Sequence, residues 1–383
     1  MLIDRRDDLA AMPPGSAPRV AVVHDYLTQR GGAERVALVI MDTFRDGRMI
    51  TSVHDPTTVR LREHDPAVET SWLNRVPAFR RDPRKALPLL PGAFDRMPVR
   101  DVDVVVCSST GFAHGIPTDA AKVVYCHNPP RWLYQAEDYL RDQPRAVHLA
   151  LRAMRPRLER WDRRAAASAD RYLVNSTIVR ERVRRVYGID PEVLPPPVSN
   201  RPDLPQSPVP GLEPGFFLAV GRARGYKNID VTCEAFRQLP GERLVVVGGL
   251  PPGDWPDRYI GLTDIPDSKL RWLYAHCAAT VAVAHEDFGL TPLEGNAMGS
   301  PALCLREGGY LDTIMEGANG LFVEELTPQA VVDAVRRLQR EPLEESTIRA
   351  HAERYTVASF KRKLCEIVAD VAAQKGVRAG QAG

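Results

Sequence analysis

The chain has 383 residues, of which 44% are hydrophobic and 26% charged, and its formal net charge at pH 7 is +2. This composition is typical of a globular protein, and the near-neutral charge excludes a general electrostatic attraction to nucleic acid. The length exceeds the size at which a single hydrophobic core keeps growing, so we expect two domains.

The N-terminus and the cysteines favour a cytoplasmic protein. The first residues lack the apolar segment of a secretory signal, and no run of 18 apolar residues predicts a membrane-spanning helix. The six cysteines form no C-x-x-C pair, and several lie in apolar strand or helix patterns: Cys107, Cys126, Cys233, Cys277, Cys304 and Cys365. We therefore expect reduced, buried thiols, and neither a disulfide framework nor a zinc site.

The N-terminal half begins with a strand, a glycine-containing loop and a helix. The apolar run Arg19–His24 predicts a buried strand, Gly31 and Gly32 end the loop, and the spacing over Ala33–Phe44 predicts a helix. Further predicted segments are strands over 49–54, 102–108 and 122–127, and helices over 145–169 and 176–186. This alternation predicts a parallel sheet with helices on both faces.

The α/β pattern stops at a proline-rich stretch and then restarts. Residues 190–214 contain too many prolines for a helix or a strand and indicate an interdomain linker. Beyond it we predict strands over 216–220, 243–247, 280–284 and 302–305, and helices over 229–239, 327–339 and 357–373. The chain therefore reads as two Rossmann-like halves, each with loops at the carboxyl ends of its strands.

Residues 285–301 contain two glutamates that a ligand site or a helix cap could use. Thr291 and Glu294 fit a capping box for a helix over 292–298 that would stop at Gly299. Glu286 has no such explanation, because it follows an apolar run at the point where a buried strand would end. A strand end, a glycine-containing loop and a helix N-terminus together make an anion site, and phosphate is the expected ligand.

Several short motifs occur in a fixed order along the chain. They are LAVGR at 218–222 with YKN at 226–228, EDFGL at 286–290 with Glu294 and GSP at 299–301, EGG at 307–309, and NGLF at 319–322. In this order they resemble the donor-binding half of a family 4 retaining glycosyltransferase. HDYL at 24–27, RGGAER at 30–35 and YCHNPPRW at 125–132 extend the resemblance more loosely to the N-terminal half. Gly295 and Asn296 depart from the family pattern, which usually has small residues such as alanine there.

The resemblance implies an α/β protein of GT-B fold, with two Rossmann-like domains facing a central cleft. We expect a disordered tail over residues 1–18, an acceptor-side domain over 19–198 and a proline-rich linker over 199–214. A nucleotide-sugar-binding domain should follow over 215–355. The remaining residues should form a helix over 356–375 that crosses back to the N-terminal domain, and a tail over 376–383.

The resemblance also implies roles for individual residues. Arg222 and Lys227 should bind the donor diphosphate, Glu294 the ribose hydroxyls, and Glu286 hydroxyls of the transferred sugar. His127 should meet the reacting face of the sugar, so the residues expected to act in catalysis are His127, Glu286, Arg222 and Lys227. The backbone groups expected to lie against the sugar and the phosphates belong to Phe288, Gly289, Leu290 and Thr291 in one domain and to Gly31 and Gly32 in the other.

Each of these residues also has an ordinary structural explanation. The glycine pair Gly31–Gly32 fits a plain turn, Arg222 and Lys227 fit solvated loop charges, and His127 fits a core histidine at a strand end. Their order in one chain favours donor binding over these explanations. No G-x-G-x-x-G sequence is present, which argues against a dinucleotide oxidoreductase.

We expect no metal and no cofactor beyond the nucleotide-sugar substrate. An arginine, an ammonium group and a helix N-terminus can neutralise the charge that grows on a leaving diphosphate. Asp101-Val102-Asp103 is a D-x-D sequence, the metal-holding signature of another glycosyltransferase fold, but it precedes its predicted strand. We interpret these two aspartates as a solvated strand start.

Three functions fit these residues. The first is a retaining, metal-independent transferase of polysaccharide or envelope glycan synthesis that moves a hexose. Mannose from GDP-mannose is favoured because EDFGLTP at 286–292 and CHNPPR at 126–131 look most like the mannosyl-type members. The second is a UDP-sugar-dependent glucosyl or N-acetylglucosaminyl transferase, and the third is a relative that binds a nucleotide sugar without catalysis. The implied partners are a nucleotide sugar and a glycan, glycolipid or lipid-linked acceptor.

An arginine-rich stretch over residues 145–185 has two interpretations. Its predicted helix carries six arginines, namely Arg152, Arg155, Arg157, Arg160, Arg163 and Arg164. A solvated helix face explains them without a partner. The alternative is peripheral contact with anionic lipid headgroups at the inner face of the cell membrane.

Overall fold

The computed structural model describes residues 18–29, 31–44, 47–61, 67–135, 145–221 and 227–381. These residues divide into two compact units. The N-terminal unit comprises residues 18–195 and 360–381, and the C-terminal unit comprises residues 196–359. Among the described helices, none is both long and apolar enough to cross a membrane.

The N-terminal unit is built on a seven-stranded sheet in which every strand pairing is parallel. Its strands are β1 (Val20–His24), β2 (Arg48–Thr51), β3 (Val68–Thr70), β4 (Val104–Ser109), β5 (Ala121–Cys126), β6 (Arg171–Val174) and β7 (Glu192–Val193), in the order β3-β2-β1-β4-β5-β6-β7. The three central strands are buried along their whole length, which explains their continuous runs of valine and other apolar residues.

Helices cover the sheet of the N-terminal unit. They are α1 (Gly32–Thr43), α2 (Pro77–Arg81), α3 (Leu90–Phe94), α4 (Arg131–Tyr134), α5 (Arg145–Ala167) and α6 (Thr177–Tyr187), with 3₁₀ turns at Trp72–Arg75, Pro83–Leu89 and Ala113–Gly115. The start and end of α6 follow from its sequence. The Ser176 hydroxyl accepts the Val179 N–H at 3.3 Å, and Gly188 ends the helix in the left-handed conformation with φ 71°.

The C-terminal unit repeats the same architecture with six parallel strands. They are β8 (Phe217–Val220), β9 (Leu244–Val247), β10 (Tyr259–Leu262), β11 (Ala279–Ala282), β12 (Ala302–Leu305) and β13 (Gly320–Val323), in the order β10-β9-β8-β11-β12-β13. The helices are α7 (Ile229–Arg237), α8 (Asp267–His276), α9 (Leu290–Ala297), α10 (Tyr310–Thr313), α11 (Pro328–Arg340) and α12 (Glu345–Ala352), followed by a 3₁₀ turn at Glu353–Tyr355. The prediction of two Rossmann-like α/β units is confirmed.

The last helix, α13 (Val357–Gln381), belongs to the N-terminal unit from Phe360 onward. The Phe360 ring packs edge-on against Tyr125 with 5.8 Å between centroids. The Lys361 ammonium lies 2.6 Å from the Asp42 carboxylate in a largely buried ion pair. Further along the helix, Asp370 accepts a hydrogen bond from Arg171 at 2.6 Å. These contacts extend along the helix and attach it to the N-terminal unit.

Both sheets have the strand order of a doubly wound fold. β1 lies between β2 and β4, and β8 lies between β9 and β11. In the first sheet the chain adds β2 and β3 on one side of β1 and then adds β4 on the other side. In the second sheet it adds β9 and β10 on one side of β8 and then β11 on the other. The loops at the carboxyl ends of these paired strands form the switch point at which such sheets bind ligands.

The structure corrects two predictions of local structure. The proline-rich stretch contains the short strand β7, which pairs with β6, and the Leu194 N–H donates to the Val174 carbonyl of β6. Helix α9 begins at Leu290 and not at Pro292, and its N-cap is Gly289 with φ 87°. Thr291 is therefore inside the helix, and the capping box predicted from Thr291 and Glu294 is wrong. Gly299 does adopt the predicted left-handed conformation, with φ 95°.

All six cysteines are free, and all but Cys365 are buried. Burial raises the pKa of the Cys107 and Cys277 thiols to about 12, so both remain protonated at neutral pH. This agrees with the prediction of buried thiols without a disulfide framework.

Candidate functional site

Lys227 and Glu286 form an ion pair at the switch point of the C-terminal sheet. Lys227 follows β8 and Glu286 follows β11, and the two strands are hydrogen-bonded neighbours. The Lys227 ammonium contacts the Glu286 carboxylate, and the two side chains are 25% and 18% exposed. The pair is therefore partly shielded from water and still reachable by a ligand.

The loop that carries Lys227 is tied to the strand that precedes Glu286. Asn228 lies in the left-handed conformation with φ 51°, and its side-chain amide donates to the Val283 carbonyl at 2.8 Å. Behind Lys227, a Cβ on Gly221 would lie 2.8 Å from the lysine Cγ, so only glycine leaves room for the aliphatic part of this side chain. These contacts direct the ammonium toward Glu286. Arg222 lies outside the described residues.

The glycines around the Glu286 loop allow close packing. A Cβ on Gly289 would lie 2.5 Å from the Tyr310 ring, and a Cβ on Gly309 would collide with the Phe288 backbone. The Gly309 N–H donates to the Glu286 carbonyl at 2.8 Å. The Gly308–Gly309 turn thus supports the segment from Glu286 to Gly289. The EGG motif at 307–309 did not by itself indicate this supporting role.

Glu294 lies in the second turn of α9, where its carboxylate accepts a hydrogen bond from the Tyr274 hydroxyl at 2.8 Å. Tyr274 is buried on helix α8 and was not predicted as part of the site.

The two residues after Glu294, Gly295 and Asn296, depart from the family pattern and have structural explanations. A Cβ on Gly295 would lie 2.7 Å from Thr280, and the buried Asn296 exchanges hydrogen bonds of 3.0 and 2.7 Å with Asn319.

In the N-terminal unit, His127 lies at the carboxyl end of β5. Its Nε2 is 2.8 Å from the Ser108 hydroxyl on the neighbouring strand β4. The same hydroxyl lies 3.1 Å from Nδ1 of His24, the last residue of β1. Desolvation, with a smaller contribution from the His24 ring, lowers the pKa of His127 to about 3. The His127 ring is therefore neutral at physiological pH.

Asp25 orders the loop that follows β4. Its carboxylate accepts the N–H groups of Thr110, Phe112 and Ala113 and the hydroxyl of Thr110. Asp25 is buried, so its carboxylate supplies the hydrogen-bond acceptor that water would otherwise provide to the N–H groups of this loop. Asp25 belongs to the HDYL motif at 24–27, but its role in shaping the switch-point loop could not be predicted from that motif.

Gly31 and Gly32 lie at the start of α1. Gly31 is the N-cap with φ −87°, a conformation open to any residue, and Gly32 is the first helical residue. A Cβ on Gly31 would collide with the carboxylate of Glu34, which is buried and held by Gln29 at 2.9 Å. A Cβ at position 31 would therefore require the Glu34 carboxylate to move. Arg30 lies outside the described residues.

The D-x-D sequence has the structural role that we predicted. Asp103 precedes β4, and both its oxygens accept hydrogen bonds from Arg19, at 2.7 Å from the backbone N–H and 3.0 Å from the guanidinium. Its side chain is 43% exposed. Within the described part of the chain, no three His, Cys, Asp or Glu side chains converge in a group that could hold a metal ion.

A cavity of about 440 Å³ lies at the carboxyl end of β3, on the same edge of the sheet as His24 and Ser108. It is lined by Thr70, Ser71, Trp72, Asn74, Arg75 and Arg80. Trp72 is 45% exposed, which is unusual for so large an aromatic residue. The cavity offers an aromatic face and two guanidinium groups, a combination suited to sugar rings and anionic groups.

Comparison with known proteins gives matches over both units. The sequence matches the family described as "Glycosyltransferase Family 4" over residues 30–200 and that described as "Glycosyl transferases group 1" over residues 200–355. A D-inositol 3-phosphate glycosyltransferase of Acidothermus cellulolyticus is 28% identical over 56% of this chain and 56% of its own length. The alpha-1,3/1,6-mannosyltransferase ALG2 of Homo sapiens is 24% identical over 70% of this chain and 73% of its own length.

A solved structure resembles most of the chain. Anabaena Alr3699/HepE in complex with UDP-glucose matches 92% of this chain and 100% of its own with a TM-score of 0.66, at 17% sequence identity. At this identity the likeness shows the fold alone. The chain spans little more than half the length of the inositol phosphate enzyme to which it is similar.

Proposed function

Because this chain belongs to the family 4 glycosyltransferases of GT-B fold, we propose that it transfers a hexose, with mannose from GDP-mannose as the first candidate. The Lys227–Glu286 pair at the switch point of the C-terminal sheet is the observation that carries this proposal. An ammonium group stabilises a diphosphate, and a carboxylate beside it accepts hydrogen bonds from sugar hydroxyls. A single ion pair thus offers partners for both parts of a nucleotide sugar.

Similar proteins support two donors. Similarity to ALG2, a mannosyltransferase, favours a mannosyl donor, as the motifs at 126–131 and 286–292 do. The second candidate is a UDP-sugar, because the structurally similar HepE was solved with UDP-glucose. For the acceptor we propose a glycan, a glycolipid or a lipid-linked sugar. The exposed Trp72 in the cavity of the N-terminal unit supports a partner with sugar rings.

For the chemical step we propose transfer with retention of the anomeric configuration. The bond from the anomeric carbon to the phosphate oxygen breaks, the acceptor oxygen bonds to the same face of that carbon, and the leaving phosphate takes the acceptor's proton. Lys227, together with Arg222, would stabilise the charge that develops on the phosphate. Glu286 would orient the sugar and not act as a nucleophile, since its carboxylate is engaged by Lys227.

The proposal is tested by thermal-shift measurements with GDP-, UDP- and dTDP-sugars, followed by transfer assays with the nucleotide that binds. A donor that binds only the folded state stabilises it by about 2.7 kcal/mol at a hundredfold excess over its Kd. We expect GDP-mannose to give the largest shift. A shift without any turnover would favour the non-catalytic relative, and no shift with any sugar nucleotide would contradict the proposal.

We expect transfer to continue in excess EDTA. The positive charge at the proposed site comes from Lys227, Arg222 and the N-terminus of α9, so a divalent ion is not required to neutralise the diphosphate. Initial rates with and without chelator should agree within about twofold. Activity that disappears with EDTA and returns with Mg²⁺ or Mn²⁺ would overturn the assignment of the donor site.

Glu294→Gln should weaken the free nucleoside diphosphate and the sugar nucleotide alike, because a carboxylate that binds ribose hydroxyls contacts both ligands. Loss of a hydrogen bond to a charged group corresponds to roughly 10-fold or more in Kd, measurable by calorimetry. Tyr274→Phe is the matched control, since it removes the hydroxyl that donates to Glu294 and keeps the carboxylate. Unchanged diphosphate affinity in Glu294→Gln would contradict the ribose-binding role of Glu294.

Peripheral membrane contact through the arginine-rich helix is a further part of the proposal. The six arginines of α5 singled out above are all exposed, and Leu149 on the same helix is exposed as well. An exposed basic face with an apolar residue favours anionic lipid surfaces.

Co-sedimentation with phosphatidylserine vesicles should fall at least about tenfold in the double variant Arg152→Glu/Arg160→Glu. It should not change in Arg336→Glu, an exposed arginine of the C-terminal unit. If both variants bound the vesicles equally well, the arginine-rich face of α5 would be a solvated surface without a lipid partner.

A further inference from the structure

Three side chains form a hydrogen-bonded row at the carboxyl edge of the N-terminal sheet. His24 ends β1, Ser108 lies near the end of β4, and His127 follows β5. The Ser108 hydroxyl stands between the two imidazole rings, 3.1 Å from Nδ1 of His24 and 2.8 Å from Nε2 of His127. His24 and Ser108 are buried, whereas His127 is partly exposed. The row thus connects the interior of the sheet to the ring expected to meet the sugar.

The position of the proton on His24 follows from its second neighbour. Nδ1 of His24 lies 2.9 Å from the backbone carbonyl oxygen of Ser108. A carbonyl oxygen only accepts hydrogen bonds, so Nδ1 must carry the proton. A protonated ring nitrogen has no free lone pair and cannot accept from the Ser108 hydroxyl. The hydroxyl proton is therefore available to another acceptor.

The acceptor is the other histidine. Among the described residues, Nε2 of His127 is the one remaining hydrogen-bond partner of the Ser108 hydroxyl. If Nε2 carried a proton and donated to Ser108, the hydroxyl hydrogen would be left buried without a partner, at a cost of about 1–3 kcal/mol. The satisfied arrangement has the hydroxyl donating to a bare Nε2. The proton of a neutral His127 ring then resides on Nδ1.

We infer that Ser108 and His24 hold His127 as the neutral tautomer protonated at Nδ1, so that this ring presents an N–H donor to an oxygen atom of the bound sugar. Ser108 and His24 are positioning residues that act through His127. The role toward the sugar rests on the proposed function, whereas the tautomer does not. The inferred hydrogen bond makes His127 a neutral donor and excludes a role as the general base through Nδ1.

The lowered pKa of His127 agrees with this arrangement. Desolvation and the neighbouring His24 ring both disfavour a second proton, and the edge of the Tyr125 ring, with centroids 5.1 Å apart, adds no charge. A neutral imidazole exists as either of two tautomers, and the partner of one nitrogen selects between them. Ser108 is that partner in this protein.

The test is nitrogen-15 NMR of the full-length protein labelled in histidine, because protonated and bare ring nitrogens have well-separated chemical shifts. The signals of His127 are assigned by their loss in His127→Gln. We expect Nδ1 of His127 to appear as the protonated nitrogen and Nε2 as the bare one at neutral pH. A proton on Nε2 of the neutral ring would overturn the inference.

Variants of Ser108 provide the second arm. Ser108→Ala should shift His127 toward the other tautomer or a mixture and lower kcat/KM about tenfold, and Ser108→Thr, which keeps the hydroxyl, should restore both. Ser109→Ala is the control, since the hydroxyl of this buried neighbour accepts from the Gly111 N–H at 3.1 Å and, within the described part of the chain, forms no hydrogen bond with the His127 ring. A tautomer that stays on Nδ1 in Ser108→Ala would contradict the role of Ser108.

The two arms separate the inference from the proposed function. The NMR measurement needs no donor, so a protein inactive with every sugar nucleotide can still show the inferred tautomer. In that case the proposed function fails and the inference stands. Active transfer with the proton on Nε2 gives the opposite result, in which only the inference fails.

Discussion

Lys227→Ala is expected to lower kcat/KM for the sugar nucleotide by roughly 10- to 150-fold, since it removes a charge-assisted contact of about 1.5–3 kcal/mol to a phosphate. The side chain is partly shielded from water, so the contact is stronger than one at a fully exposed site. If the contact strengthens as the phosphate leaves, kcat falls as well as affinity. If it is equal in ground and transition states, only KM rises.

Glu286→Gln tests the other half of the ion pair. Glutamine keeps the shape of the side chain and removes the charge, so affinity for the free diphosphate should change little while turnover falls. Because Lys227 and Glu286 are in contact, the losses in the double variant should not add. Strictly additive losses would indicate that the pair has no joint role in the site.

Lys363→Ala is the control for the loss of a positive charge, since Lys363 is exposed on the last helix. It should retain the kcat/KM of the wild-type protein. A Lys227→Ala protein with wild-type kcat/KM for every sugar nucleotide tested would contradict the diphosphate role. A loss of more than about tenfold with an unchanged melting temperature would support it.

Asp25→Ala should destabilise the N-terminal unit by about 4 kcal/mol or more, an exceptional value for one substitution. The change leaves three backbone N–H groups and one hydroxyl without their acceptor in a buried loop. The measurement is the denaturant midpoint of the N-terminal unit, with the fluorescence of its buried Trp132 and Trp161 as the signal of unfolding. Amide exchange at Phe112 and Ala113 should accelerate at the same time.

Asp103→Ala is the matched control for Asp25. Asp103 also accepts hydrogen bonds close to β4, but its side chain is 43% exposed and its partner is a surface arginine. An exposed ion pair contributes only about 0–1 kcal/mol, so this variant should unfold close to the wild-type midpoint. Equal midpoints for Asp25→Ala and the wild-type protein would show that the loop after β4 does not depend on the carboxylate.

The amino-acid sequence by itself determined the central strands and most helices. Runs such as Val20–His24 and Val104–Ser109 begin with consecutive apolar residues, which is typical of strands buried on both faces of a parallel sheet. Short strands nearer the sheet edges were missed, among them Tyr259–Leu262 and Glu192–Val193. They have few residues and partial exposure, so neither a long apolar run nor a clear alternation identifies them.

Local sequence failed where tertiary packing decides the conformation. Thr291, Pro292 and Glu294 match a capping box, yet the helix starts earlier because Gly289 turns in the left-handed conformation against Tyr310. A local pattern cannot register a contact with a ring about twenty residues away. The role of Glu294 depends in the same way on Tyr274, which lies on another helix.

The sequence suggested which residues the candidate site uses, and only the tertiary structure decided which of them meet. Lys227 and Glu286 are 59 residues apart, and His24 and Ser108 are 84 apart. They come into contact because β8 lies beside β11 and β1 beside β4, and parallel strands end at the same edge of a sheet. Strand order is set by how helices and strands bury their apolar surfaces together, a property of the whole domain that no short stretch of sequence carries.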